Sequence, residues 1–378
     1  MTAGQMRRDP LTPFPWYQAM RSASPVVLDP NSNTWQVFRY ADVQRVLSDH
    51  ESFSSRMGSP DASPIANSLI ALDPPRHRQM RTLVTQAFTP RAVDNLAQRI
   101  REIADELLDD VVASRRFDAV ADLAYPLPVI VIAELLGIPS SDRAQFKEWS
   151  DEITSTSSVG TGQREMAAYF YRFVEERRHE PRDDLVSALL QAEVEGQRLT
   201  LSELLGFCVL LLVAGNETTT NLIGNALLCF CDDAPGMLDE LAAQPQLLPG
   251  AIEEVLRFRS PVQCMFRVTA QATELDGRRL QPGQSALAWI GSANRDEAVF
   301  EDPDIFDIRR LPNRHIAFGH GIHFCLGAPL ARLEARIALE ALLARLRNLR
   351  RIPAAHLEAQ DSFVVYGLKR LPMAFDAP

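Results

Sequence analysis

Ten residues, Phe318-Gly-His-Gly-Ile-His-Phe-Cys-Leu-Gly327, constrain this chain more than any other stretch of it. Gly319 and Gly321 tolerate backbone angles closed to other residues, so the segment can fold as a tight loop. Cys325 closes that loop, and Gly327 leads into Ala328-Pro329, which opens a helix. A cysteine just ahead of a helix start lies near unpaired backbone N–H groups and the positive end of the helix dipole, both of which favour its thiolate. Taken singly, Cys325 reads either as an activated sulfur or as a small buried residue in a Gly-rich turn.

The rest of the composition narrows the setting. Among 378 residues, 46% are apolar and 23% charged, the balance of an ordinary globular protein with a sizeable core. The 39 Lys and Arg against 49 Asp and Glu leave a net charge of −10, which argues against broad binding to nucleic acid or to an anionic membrane. The five cysteines, at 208, 229, 231, 264 and 325, form no C-x-x-C pair and suit a reducing compartment. Residues 1–40 lack the apolar centre of a signal peptide. The longest run without a polar side chain, Leu204 to Gly215, is shorter than a membrane span. A cytoplasmic protein with neither nucleic acid nor membrane as partner is expected.

Periodicity makes the chain mainly α with small β-sheet regions, read as one domain over 1–378. Pro25-Val-Val-Leu28 and Trp35-Gln-Val-Phe38 flank a Pro/Asn/Ser cluster and predict a hairpin. Helices are expected over Asp42–Leu47, from near Pro75, over Pro90–Ala113, Pro126–Leu136, Asp142–Thr154, Arg164–His179, Leu185–Glu195, Leu247–Arg257 and Ala328–Leu346. Thr200-Leu-Ser-Glu203 has the capping-box form and starts a long apolar helix towards Phe230. Short strands are expected near Phe266–Val268, Ala286–Ile290 and Phe363–Val365, and residues 54–72 read as a loop.

Within the long helix, Ala214-Gly-Asn-Glu-Thr-Thr219 is anomalous. Glu217 and Thr218 are costly there unless partnered. The Thr218 hydroxyl can bond back to the Ala214 carbonyl and open the helix, with Gly215 easing the distortion. Such a turn is a place to bind O2 and deliver protons, or merely a kink. Glu254 and Arg257, three apart, share a helix face, which is the pattern of an ordinary ion pair. His77 and Arg81, four apart, also share one.

The loop from Phe318 to Gly327 follows F-x-x-G-x-H-x-C-x-G, and with A-G-x-[DE]-T, E-x-x-R and H-x-x-x-R it makes the whole chain resemble a soluble bacterial-type cytochrome P450. The resemblance implies that fold, with haem b between the long oxygen-binding helix and the cysteine loop. It implies Cys325 as axial thiolate, a ligand that favours O–O cleavage in this family, with Phe318 shielding the sulfur and Gly327, Ala214 and Gly215 against the cofactor. Thr218 is implied to hydrogen-bond dioxygen and Glu217 to relay protons, while His77, Arg81, Arg267 and His323 hold the propionates. Glu254 and Arg257 brace the cysteine loop together with Arg310, with Arg309 as competitor for that third place. Leu69, Ile70, Leu210, Ala214, Val262, Met265, Phe266, Val364 and Val365 map onto substrate-contacting segments, and residues 154–162 onto a lid.

The activity implied is hydroxylation or epoxidation of an apolar small molecule such as a fatty acid, terpenoid, steroid or macrolide. O2 is the oxidant. Electrons are expected from a separate ferredoxin or flavodoxin with its NAD(P)H-dependent reductase, docking near Arg76, Arg78, Arg332 and Arg336. The alternatives are the same scaffold in peroxide-driven, desaturation or coupling chemistry and, more remotely, a haem sensor or electron carrier. Keeping both Glu217 and Thr218 counts against the peroxide version.

Overall fold

The helix Leu201–Leu228 runs through the middle of the protein and organises what surrounds it. It starts where the sequence places it: the Thr200 hydroxyl accepts the Glu203 N–H at 3.3 Å, and the Glu203 carboxylate accepts the Thr200 N–H at 2.8 Å. Extended to Asp233, it is long and apolar enough to cross a membrane by length and composition. Here it crosses the interior of the fold, with Asn216, Thr220, Asn221 and Asn225 buried along it. The computed structural model describes residues 9–56, 64–142, 145–146, 148–149, 161–353 and 355–376.

Against the central helix pack Pro126–Leu136, Leu248–Phe258, Ala328–Arg345 and the 3-10 turn Pro64–Asn67. Their facing side chains merge into one apolar core that includes Ile100, Ile132, Leu204, Phe207, Leu256 and Leu342. Removing each such side chain from water stabilises the fold by about 2 kcal/mol before entropy is counted. Pro90–Ala113, expected as one helix, is two: Pro90–Asn95 and Ala97–Val112, meeting at Leu96. The expected helix 142–154 lies largely outside the described residues.

A five-stranded sheet flanks the helices in the order Val26–Asp29, Thr34–Val37, Ser285–Ala288, Met265–Thr269, Phe53–Ser54. Thr34–Val37 pairs parallel with Ser285–Ala288, and the other pairings are antiparallel. The expected hairpin is therefore the edge of a sheet that draws on three distant parts of the chain. Phe363–Val365 contributes only an isolated bridge, Val262 to Val365. A helix at Phe14–Ala23 and a three-stranded sheet of Arg116–Asp118, Pro372–Asp376 and Arg347–Arg351 were not expected.

Candidate active site

The loop before Cys325 is held by its own backbone. Gly319 and Gly321 adopt φ of +76° and +71°. At Gly321 a Cβ would stand 2.8 Å from the Ser48 Cα, so glycine is required there for space as well as for φ. The Cys325 N–H donates to the Phe318 carbonyl at 2.9 Å, closing the loop on itself. Gly327 then leads into the helix Ala328–Arg345. The Cys325 side chain is exposed only into an internal cavity. Burial of the loop pushes its thiol up, opposed by the N–H groups of Gly327 and Ala328 and by Arg81 and Arg332.

That cavity lies between the cysteine loop and the central helix. Ala214, Gly215, Thr218, Phe318, Cys325 and Gly327 all line it. The Thr218 hydroxyl donates to the Ala214 carbonyl at 2.7 Å, as the four-residue spacing suggested. The helix nevertheless stays continuous from 201 to 228, so the expected opening is a correction: the back-bond forms without breaking the ladder. Gly215 has a further reason to be glycine, because a Cβ there would lie 2.4 Å from the Ile132 Cδ1. Glu217 does not line the cavity and stands half-buried beside it, where burial raises its carboxyl.

Basic groups converge at one edge. Arg81 donates to the carbonyls of Ile322 and Phe324 at 3.0 and 2.7 Å. Arg267 is buried and donates to its neighbour's carbonyl, Phe266 O, at 2.8 Å. The His77 and His323 rings lie 4.3 Å apart. His323 Nε2 meets the Ser55 hydroxyl at 2.9 Å, while the buried His77 Nε2 has no partner among the described residues. Burial, then neighbouring Arg81, holds His77 down to about 4; burial, then Arg267, holds His323 down to about 3. Arg81, Arg267 and His323 line the main cavity, and His77 lines an adjoining one with His50, Arg78 and Arg81. A largely apolar cavity lined by the Cys325 sulfur, with Arg81, Arg267, His323 and the adjoining His77 gathered together, fits a porphyrin whose acid side chains those four groups satisfy. The orphaned His77 nitrogen is the sharpest mark of that fit.

Of the expected substrate contacts, Leu69, Ile70, Leu210, Val262 and Met265 line the cavity. Phe266, Val364 and Val365 do not, which corrects the sequence reading. Side chains alternate along a strand, so Met265 and Arg267 face the cavity and Phe266 points to the other side. There Phe266 and Val364 pack with the cluster of Tyr17, Phe38 and Trp289. Val365 is engaged in its bridge to Val262. Phe88, Ile132, Leu135, Phe207 and Ile290 line the cavity and were not singled out.

Also missed was Glu334, which lines the same cavity while wholly enclosed by protein. Burial pushes its carboxyl up to about 8; the Thr219 hydroxyl donates to it, and its Oε1 has no partner among the described residues. The signal was present, for Glu334 falls on the apolar stripe of Leu330, Ile337 and Ala341.

Behind the loop, Glu254 and Arg257 are fully buried and doubly bonded at 2.7 and 2.8 Å. Arg257 also donates to the carbonyls of Asn294, Pro303 and Ile305. Arg310 reaches Glu254 at 3.2 Å, whereas Arg309 pairs with Glu240. The docking cations need correction: Arg76 is paired with Glu203, Arg332 with Glu253 and Arg336 with Glu340, which leaves Arg78 exposed. Residues 154–160 of the expected lid lie outside the described residues, and Thr161–Gly162 begin the helix Thr161–His179.

The fold and this pocket define a haem-thiolate oxygenase. Residues 27–159 and 239–350 match the Cytochrome P450 family model. A putative cytochrome P450 of Bacillus subtilis, YjiB, is 47% identical over 379 residues, covering 97% of this chain and 94% of that protein. The erythromycin C-12 hydroxylase of Saccharopolyspora erythraea is 42% identical over 349 residues, covering 88% and 87%. A crystal structure of CYP109E1 from Bacillus megaterium in complex with testosterone superposes with a TM-score of 0.92 at 44% identity, covering 98% of this chain and 100% of that one. The chain belongs to the cytochrome P450 family, whose members are haem-thiolate monooxygenases acting on apolar compounds.

Proposed function

We propose that the substrate is a neutral, mainly hydrocarbon molecule of steroid size. The observation that carries this is the cavity wall: Leu69, Ile70, Phe88, Ile132, Phe207 and Leu210 offer apolar surface, while the cations that also line the cavity, Arg81 and Arg267, stand at the edge assigned here to the propionates. The testosterone complex of a similar structure points the same way. Apolar walls of this kind bind by area and shape, with few fixed polar contacts.

In this reading Cys325 holds the iron, and Arg81, Arg267, His77 and His323 hold the propionates. The haem, when bound, supplies oxygen activation and insertion into a C–H or C=C bond. The chain's own residues position the reactants and handle protons. Because the Thr218 hydrogen is given to the Ala214 carbonyl, its oxygen faces the cavity as an acceptor and orients a proton-bearing water there. Glu217, raised by burial, stands beside that turn as the acid that recharges it. Glu254, Arg257 and Arg310 fix the backbone under the cysteine loop.

Two electrons come from a separate ferredoxin or flavodoxin and its NAD(P)H-dependent reductase, with Arg78 as the exposed cation left to meet an acidic partner. The protein works in the cytoplasm as one domain over 1–378, a reading supported by five cysteines with no disulfide among them and by a largest apolar cluster that runs from Leu69 to Phe375.

The test is a titration of the ferric holoprotein with steroids, fatty acids, terpenoids and macrolides, following the Soret band. A blue shift with steroids ahead of the other classes is expected. Shifts confined to charged or carrier-bound compounds would overturn the substrate class.

A further inference from the structure

The cation at Arg332 stands in an unexpected place. It lies one turn into the helix that follows Cys325, and its guanidinium carbon is 4.5 Å from the centroid of the Phe318 ring. Nε and Nη2 donate to the two carboxylate oxygens of Glu253 at 2.6 and 2.8 Å, a bidentate clamp. Glu253 is itself held. His315 Nε2 meets it at 3.0 Å, while His315 Nδ1 accepts the Ala317 N–H at 3.3 Å. That second bond makes Nε2 the protonated nitrogen and the donor. Against burial, which pushes Glu253 up, these two partners hold it down at about 2, so the clamp is charged at every working pH.

The other face of the arrangement is the sulfur. Phe318 and Cys325 line the same cavity, and the Phe318 carbonyl accepts the Cys325 N–H at 2.9 Å. The ring under the cation and the carbonyl that fixes the thiol therefore belong to one residue. An exposed ion pair on a flexible side chain does little. A guanidinium pinned by a two-pronged carboxylate and laid on an aromatic face is oriented, and it keeps its field in place.

We propose that Arg332, clamped over Phe318 by Glu253, is a positioning residue that sets the electron affinity of the Cys325 centre. This rests on Cys325 as the iron ligand. The positive end of a fixed ion pair, turned towards a centre that gains an electron, favours the reduced form, and it draws electron density from the thiolate. The clamp makes that bias a property of the fold. The competing reading is a plain staple between helix Leu248–Phe258 and helix Ala328–Arg345, which would alter stability and leave the electronics alone.

The experiment is spectroelectrochemical titration of the holoprotein as wild type, Arg332→Gln, Arg332→Lys and Arg336→Gln, with thermal midpoints and ferrous-carbonyl spectra alongside. Arg336 lies four residues further along the same helix, paired with Glu340, so its variant loses an equal charge without the ring contact. Arg332→Gln is expected to weaken reduction of the ferric state at least tenfold, which is about 59 mV for one electron. Arg332→Lys should recover more than half of that, and Arg336→Gln should change it less than threefold. Equal shifts for Arg332→Gln and Arg336→Gln, or a loss of thermal stability with the midpoint unmoved, would overturn the proposal. A wild-type carbonyl spectrum without thiolate character would remove the Cys325 assignment beneath it, an outcome separate from these.

Discussion

Replacing Glu334 by Gln should flatten part of the pH dependence of stability. In the fold, burial pushes the Glu334 carboxyl up to about 8; in the unfolded chain it returns to its ordinary 4.5. Between those values the native state keeps a proton that the unfolded state has lost. Stability from this group is therefore fully present below 4.5 and declines as pH rises through about 8. At about 1.4 kcal/mol per tenfold change, the difference amounts to about 5 kcal/mol across the window. Glutamine keeps the shape and an acceptor for Thr219 but has no proton to release. The assay is denaturant unfolding of the holoprotein, followed by circular dichroism, at pH 5.5 and 8.5. The wild type should lose several kcal/mol more than Glu334→Gln between the two. Parallel losses would show that Glu334 is ionised in the fold at neutral pH, and that its burial is relieved by partners other than Thr219.

Thr218→Ala should leave electron consumption in place while product per NAD(P)H falls by about tenfold or more and peroxide rises; unchanged coupling refutes the role given to its hydroxyl. Arg257→Met removes one member of a buried pair and leaves Glu254 with Arg310, Asn313 and the Asp307 N–H. It should cost about 3–5 kcal/mol in unfolding free energy, and a loss under about 1 kcal/mol would show that the brace is redundant.

Local features of the sequence carried far. The capping box at Thr200 began the central helix, the two glycines shaped the cysteine loop, and the spacings 214/218 and 254/257 produced real contacts. What escaped needed partners distant in sequence. Pro372–Asp376 becomes a strand because Arg116–Asp118 and Arg347–Arg351 lie on either side of it, and nothing within five residues announces that. The direction of Phe266 follows from strand alternation beside Arg267, which a resemblance carried over segment by segment does not resolve. The docking arginines failed for another reason. The acids that pair Arg76 and Arg332, at 203 and 253, are brought to them only by the fold, whereas Glu340 lies four residues after Arg336 and its pairing was readable from helix spacing.

The contact between Ile132 and Gly215 has a consequence for how such an enzyme can be altered. Ile132 lines the cavity, and its Cδ1 occupies the space where a side chain at 215 would stand. Gly215 lies three residues before Thr218 on a rigid helix. With the role proposed for Thr218, enlarging or shrinking residue 132 to admit a new compound changes the packing against the turn that carries it. Variants at 132 are therefore expected to change selectivity and coupling together. Changes at Leu69 or Ile70 reach the same chamber from a different element and leave that turn untouched.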